Sequence, residues 1–451
     1  MKKFNRLALS TALLTAMTST SVMAGPYGYD LHNVLAPVSA SMAGTSIAKP
    51  LDNVSAIFGN PAGLSEFRGT EFTFGATWYK PNVELTSSIT QSFQLGTAFK
   101  EGNGNEGYLV PEIGVTQDLR GLGIPGTLGA GVTATNGIGA EFRENPNSIG
   151  ASAELIVIGA NLGLSWDLSE NLTLGSAATV TYSMLDLGIA SVAAQTHDIA
   201  VKGSLGMTYK LPHHTQIGMF YHSELRQDFD DIIQTSPKSG QTALNNTATA
   251  AGGSPATTPM DGSFQSLNIE QPRTLGIGIS NEMMMDGNLL LAADIMYKNW
   301  GNANFWKDIY KDQWIFSMGA QLTDGPWEWR AGYGYADDPT RERTKGLSQL
   351  ANVCSGLPDR CTAIPSGNSA AGIAVTEYLM AAQAEVIYRH RFTAGFGYKG
   401  FLAPFLDLDT HVARQFSEDR DYGNADSLFS NHTNAKVDSW HAGFALTWHF
   451  E

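Results

Sequence analysis

From residue 70 to the end of the chain, large apolar residues recur at every second position, in runs separated by turn sequences. The last run shows the pattern most clearly. In VDSWHAGFALTWHFE, Trp440, Ala442, Phe444, Leu446, Trp448 and Phe450 share one parity, and Ser439, His441, Gly443, Ala445, Thr447 and His449 share the other. A period of two is a β-strand with two unlike faces. A soluble sandwich satisfies such strands, and so does a membrane barrel with an apolar outer face and a polar lumen. Composition favours the barrel. Only 16% of the 451 residues are charged, against about 25% in ordinary soluble domains, while 48 are glycine and 10% aromatic.

The N-terminus sets the compartment. Lys2, Lys3 and Arg6 precede an apolar stretch from Leu7 to Met17, and Val22-Met23-Ala24 offers a small-residue cleavage site. Residues 1–24 therefore read as a secretory signal peptide. Without its three basic residues the chain keeps 25 basic and 43 acidic side chains, a balance that argues against nucleic acid as a partner. Beyond the leader no run of about 18 apolar residues exists, so no transmembrane helix is expected; an exported chain of this kind spans a membrane as a closed barrel. The two cysteines, Cys354 and Cys361 in CSGLPDRC, sit in a polar loop in an oxidising compartment. They are expected to form a small loop disulfide, and no metal site is expected.

The alternating runs number about 14, an even count as bacterial barrels require. They begin at EFTFGATWY, include TLGAGVTATNG, TQIGMFYHSELRQDF, NLLLAADIMYKNW and WEWRAGYGYADD, and end at the closing strand. Short connections such as DLSEN, PHHT and TDGP alternate with long ones near 81–107, 138–152, 187–196, 227–270, 299–311, 336–384 and 416–436. That rhythm belongs to barrels with tight periplasmic turns and long external loops. Residues 25–69 stand apart: NVSAIFGNPAGLSEF carries turn signals and no sustained alternation. The expected organisation is a signal peptide at 1–24, an N-terminal hatch in the lumen at 25–69, and an all-β transmembrane barrel at 70–451.

Two motif matches carry no chemistry. GLGIPG at 121–126 fits a nucleotide-binding glycine pattern literally, but an alternating strand follows it where a helix is needed, so it is a turn. His222, Ser223 and Glu224 are neighbours on one strand and point to opposite faces, which prevents a hydrolytic pair. No catalytic residues, cofactor or metal are expected. Parity does place Phe220, His222, Arg226, Lys298 and Arg330 in the lumen, with Glu112, Glu328, Asp407, Asp409 and His411. Most of these read as a structural charge network; Arg226 or Lys298 is the sharper candidate for meeting a ligand carboxylate. Trp300, Phe305 and Trp306 in NWGNANFW read as loop aromatics, forming either a capture groove or an interfacial girdle.

Several stretches together resemble the FadL-type (OMPP1/FadL/TodX) long-chain fatty-acid and hydrocarbon transporters of Gram-negative outer membranes. They are DNVSAIFGNPAGLSEF, TNGIGAEF, YHSELRQDF, SLNIEQPRTLGIG, WEWRAGYGYADDP and the closing strand. The resemblance implies a monomeric 14-stranded barrel with an N-terminal hatch gated around Asn60, Pro61 and Ala62. It also implies lateral exit of ligand at a kinked third strand, here near Asn136, Gly137, Ile138 and Gly139. The candidate binding residues, taken from strand parity and the loop aromatics, are Phe220, His222, Arg226, Lys298, Trp300 and Arg330. The implied partners are a hydrophobic small molecule, outer-membrane lipid and, during biogenesis, the assembly machinery. The reading is passive uptake of hydrophobic compounds, with fatty acid and neutral hydrocarbon both open. The alternative is a surface adhesin or receptor using its long loops.

Overall fold

The computed structural model describes residues 36–88, 98–102, 107–142, 144–148, 152–189, 192–230, 233–235, 262–264, 266–341, 381, 389–422 and 433–450. The leader, residues 25–35, Cys354, Cys361 and Glu451 lie outside the described residues, and with them the expected disulfide.

Among the described residues, fourteen barrel strands and the short strand Phe99–Gly102, which pairs with the end of the first, form one antiparallel sheet. The barrel strands are β1 Thr70–Ser87, β2 Tyr108–Asp118, β3 Gly126–Glu141, β4 Ser152–Asp167, β5 Leu172–Ile189, β6 Val192–Leu211 and β7 Thr215–His222. Then come β8 Thr274–Met284, β9 Leu289–Lys298, β10 Gln313–Asp324, β11 Trp327–Ala336, β12 His390–Tyr398, β13 Leu406–Tyr422 and β14 Thr433–Phe450. Each pairs with its chain neighbours, and β14 returns to β1 in continuous register from Thr70↔Phe450 to Ser87↔Thr433. The ladder therefore closes on itself. The alternation dictates the two faces. On β6, Ile199, Val201 and Leu205 are exposed while Ala200 and Ser204 are buried; on β9, Leu291 and Ile295 point out while Asp294, Met296 and Lys298 point in.

One end carries the tight turns. His213 and His214 take positive φ between β6 and β7, and Gly325 does so between β10 and β11. The GLGIPG stretch turns β2 into β3, with Gly123 left-handed at φ +79. One expected long connection is absent. The ladder runs on from Leu185↔Thr196 to Ile189↔Val192, so β5 and β6 form a tall hairpin.

Residues 36–67 lie inside the barrel. A short helix α1 (Pro37–Ser41), a second helix α2 (Asn53–Phe58) and a 3-10 turn (Pro61–Glu66) follow one another, almost wholly buried. Asp52 caps α2, accepting the Ser55 N–H at 2.6 Å. Pro61 opens the 3-10 turn at a position that needs no N–H donor. The segment touches the inner wall around most of its circumference: α1 against β11–β14 and β1, α2 against β1–β4, and the 3-10 turn against β3–β6. Glycine permits the closest approaches. A methyl group at Gly175 would collide with the backbone of Pro61 and Ala62, and one at Gly218 with the Ile47 carbonyl.

Candidate functional site: a cavity at a break in the wall

Strand β3 leaves its neighbour halfway. It pairs with β2 from Thr127↔Asp118 to Thr133↔Glu112 and then stops, although β2 continues back to Tyr108 in register with β1. On its other side β3 stays laddered to β4 as far as Glu141↔Ser152. The cause is local. Thr135 is an extra residue between Ala134↔Ile158 and Asn136↔Val157, a bulge that bends the strand. Pro111, the next residue of β2, has no N–H to offer a ladder. The irregularity thus falls one residue before the expected run. Asn136, Gly137, Ile138 and Gly139 follow the bulge and remain paired to β4. The Tyr108 phenol lies against Gly139, where any larger residue would strike it.

A cavity of about 70 Å³ opens behind this break, lined by Thr133, Ala134, Thr135 and Asn136 of β3 and by Glu112 of β2. Val54 and Phe58 of α2 form its floor, and Leu225, Pro272 and Trp300 add apolar wall. Lys202, His222, Gln271 and Lys298 supply polar groups. Lys298 sits over the Trp300 ring at 5.7 Å. The His222 Nε2 donates to the Gly59 carbonyl at 2.8 Å, and its ring lies 4.4 Å from Phe220. Asn136 donates to Gln271, which in turn donates to Gln227 at 3.2 Å. The bulged strand is thereby tied to a small hairpin, Leu225–Phe229 with Leu267–Gln271, on the long-loop side.

Of the six residues expected at a ligand site, His222, Lys298 and Trp300 meet in this cavity, and Phe220 packs against the His222 ring. Arg226 and Arg330 do not join them. Arg226 is two-thirds exposed and faces Glu224 and Glu270 at 3.4 and 3.6 Å. Ser223 and Glu224 interrupt the strand, so the buried parity slips by one to Leu225, Gln227 and Phe229. Arg330 is buried near the tight-turn end, bonded to Asp409 at 2.5 Å, to Gln321 at 2.5 Å and to Glu328, which also meets Lys399 at 2.8 Å. The aromatics of 300–310 are not loop surface. Trp300 and Trp306 are buried, Trp306 stacks on Tyr310 at 5.3 Å, and Phe305 is half-buried against Trp306.

The internal segment is held unevenly. Asn60 donates to the Ile47 carbonyl at 2.7 Å and to the Met207 carbonyl of β6 at 3.2 Å, and its own Oδ1 accepts from Ala62 N–H at 3.1 Å. Asp294 accepts the Ser46 and Ile47 N–H groups at 2.8 and 3.1 Å. Arg391 donates to the Ala43 carbonyl at 2.7 Å, and Thr393 bonds both Ala43 N–H and the Ser41 carbonyl. Facing β2, by contrast, both amide atoms of Asn53, Oε2 of Glu112 and Oγ1 of Thr116 are buried without hydrogen-bond partners. Asp294, Arg391, Lys202 and Gln271 escaped the sequence reading, although parity with Lys298 would have pointed to Asp294.

A closed antiparallel barrel of 14 strands, apolar outside, polar within and filled by its own N-terminal segment, is the architecture of an outer-membrane transport barrel. The chain belongs to the outer membrane protein transport protein family (OMPP1/FadL/TodX), whose model matches residues 15–348. It is an outer-membrane protein. Outer membrane protein P1 of Haemophilus influenzae is 24% identical over 287 residues, covering 52% of this chain and 61% of that protein. The match thus spans less than two thirds of the relative's length. Among solved structures, the toluene transporter TodX of P. putida superposes with a TM-score of 0.61 at 17% identity, over 94% of this chain and 100% of that one. A Pseudomonas aeruginosa FadL homologue gives 0.65 at 13% identity, over 96% and 100%. At such identities these structures share the fold.

Proposed function

We propose that the protein carries hydrophobic small molecules inward across the outer membrane, down their gradient, and releases them sideways through the break between β2 and β3. The observation that carries this reading is the ladder that stops at Thr133 directly beside the cavity. A guest in that cavity is separated from the membrane interior by bent backbone and not by a complete sheet. Sideways release spares an apolar molecule the aqueous periplasm, where its hydration is unfavourable. One structural neighbour, TodX of P. putida, is a toluene transporter, which agrees with a small hydrophobic cargo.

Residues 36–67 act as the hatch in this reading. The cavity of about 70 Å³ is roughly half the ~150 Å³ that accepts benzene in an apolar protein cavity, so cargo needs the floor to move. The floor is α2, whose β2-facing side lacks hydrogen bonds, while Asn60, Pro61 and Ala62 stay tied to Ile47 and β6. The closed ladder lets one chain do this as a monomer.

Deleting Thr135 tests the route. Removal of the extra residue lets β3 run straight beside β2, and toluene uptake into cells lacking other carriers should fall at least about tenfold while the barrel still assembles. Undiminished uptake would refute sideways release.

A further inference from the structure

We infer that Glu112 is the specificity-determining residue of the cavity, selecting hydrophobic molecules that carry a hydrogen-bond donor over bare hydrocarbons and over carboxylates. This rests on the carrier reading above and names its cargo more closely.

Glu112 stands at one point where three features meet. It is the last residue of β2 paired to β3, opposite Thr133, so it forms the lip of the break. It lines the cavity. It is 2% exposed, and its Oε2 has no hydrogen-bond partner. No other described lining residue has a buried side-chain oxygen or nitrogen in that state. The other polar groups of the lining are engaged: His222 with Gly59, Asn136 with Gln271, and Lys298 over Trp300. Val54, Phe58, Ala134, Leu225 and Pro272 give the wall an apolar part beside Thr133, Thr135, Ser223 and Thr274.

A buried carboxyl oxygen without a hydrogen-bond partner is costly, and a site that holds one discriminates against guests that leave it unmet. A hydrocarbon leaves Glu112 Oε2 unmet. A hydroxyl on the same body meets it while the ring fills the apolar wall. A carboxylate guest brings a third carboxyl group to a place where Asp52 of the internal segment already acts on Glu112. Lys202 and Lys298 also line the cavity and favour anions, so the experiment must separate the two pulls.

Three guests built on one tolyl ring do so: toluene, 4-methylphenol and 4-methylbenzoate, titrated into the purified protein in detergent and read by quenching of tryptophan fluorescence, Trp300 lying in the wall. The wild type should bind 4-methylphenol about tenfold more tightly than either of the others. Glu112→Met, apolar and of similar length, should bring toluene and 4-methylphenol within about twofold. Glu112→Gln, which keeps an amide oxygen, should retain most of the preference and shows that the effect follows the acceptor. Equal binding by the wild type, tightest binding of 4-methylbenzoate, or an unchanged preference in Glu112→Met would overturn the assignment of Glu112 alone. Binding of none of the three by the wild type would overturn the carrier reading, and this inference with it.

Discussion

Asp294 does for the internal segment what a neighbouring strand does for a ladder: it accepts two consecutive backbone N–H groups, those of Ser46 and Ile47. Orphaning buried donors costs about 1–3 kcal/mol each. Asp294→Ala is therefore expected to loosen the segment, and chymotryptic cleavage after Phe58 should accelerate tenfold or more, with Asp294→Asn intermediate. Equal protection in Asp294→Ala and the wild type would show that the turn is held by packing alone. Arg330 predicts a different failure. Its guanidinium is enclosed by Glu328, Asp409 and Gln321, and breaking a buried ion network costs about 3–5 kcal/mol. Arg330→Met should lower the urea midpoint of barrel unfolding while leaving ligand affinity within about twofold. A loss of affinity without a loss of stability would return Arg330 to the binding site. At this scale the sequence was partly legible. Parity put His222 and Lys298 inside, because each lies on a strand whose alternation is unbroken. It misplaced Arg226, because a two-residue interruption at Ser223-Glu224 reverses every later side chain. No period-two pattern could reveal that Asp294 meets a segment 247 and 248 residues away in the chain.

Among the elements, the internal segment and the bulged strand set the behaviour. The segment reaches the wall through glycines, and Gly175 lies under the Pro61–Ala62 turn where no side chain fits. Gly175→Val should push that turn off β5 and open the lumen. Cells carrying the variant should admit small polar antibiotics several-fold faster, with barrel assembly unchanged; an unaltered susceptibility would mean that the turn yields without opening a path. The strands themselves were readable from alternation, since one face meets lipid and the other a polar interior. The bend was only approximately so. The glycines of 136–139 drew attention, but the extra residue is Thr135, and a bulge is defined by the partner strand, which sequence order does not display. The aromatic stretch at 300–310 was harder still, because its burial against Tyr310 and Gln313 depends on how the loop folds back over the rim.

For the whole molecule, the proposed path runs in from the long-loop side, into the cavity, and out through the break between β2 and β3. Period two, scarce charge and the short–long rhythm of connections made the barrel legible, because lipid tolerates no open edge and so few architectures remain. The exit was implied by family resemblance alone, since a missing stretch of ladder leaves no trace in hydrophobic pattern. Bridging the break tests it most directly. Val110 and Thr135 would face each other if β2 and β3 continued one residue for one past Glu112↔Thr133. Cysteines at both positions, with Cys354 and Cys361 replaced by serine, can be spanned by a reducible bifunctional thiol reagent and the uptake of labelled toluene followed. The account predicts that uptake collapses when the bridge forms and returns when it is reduced. Uptake that continues at the same rate across a bridged wall would contradict it.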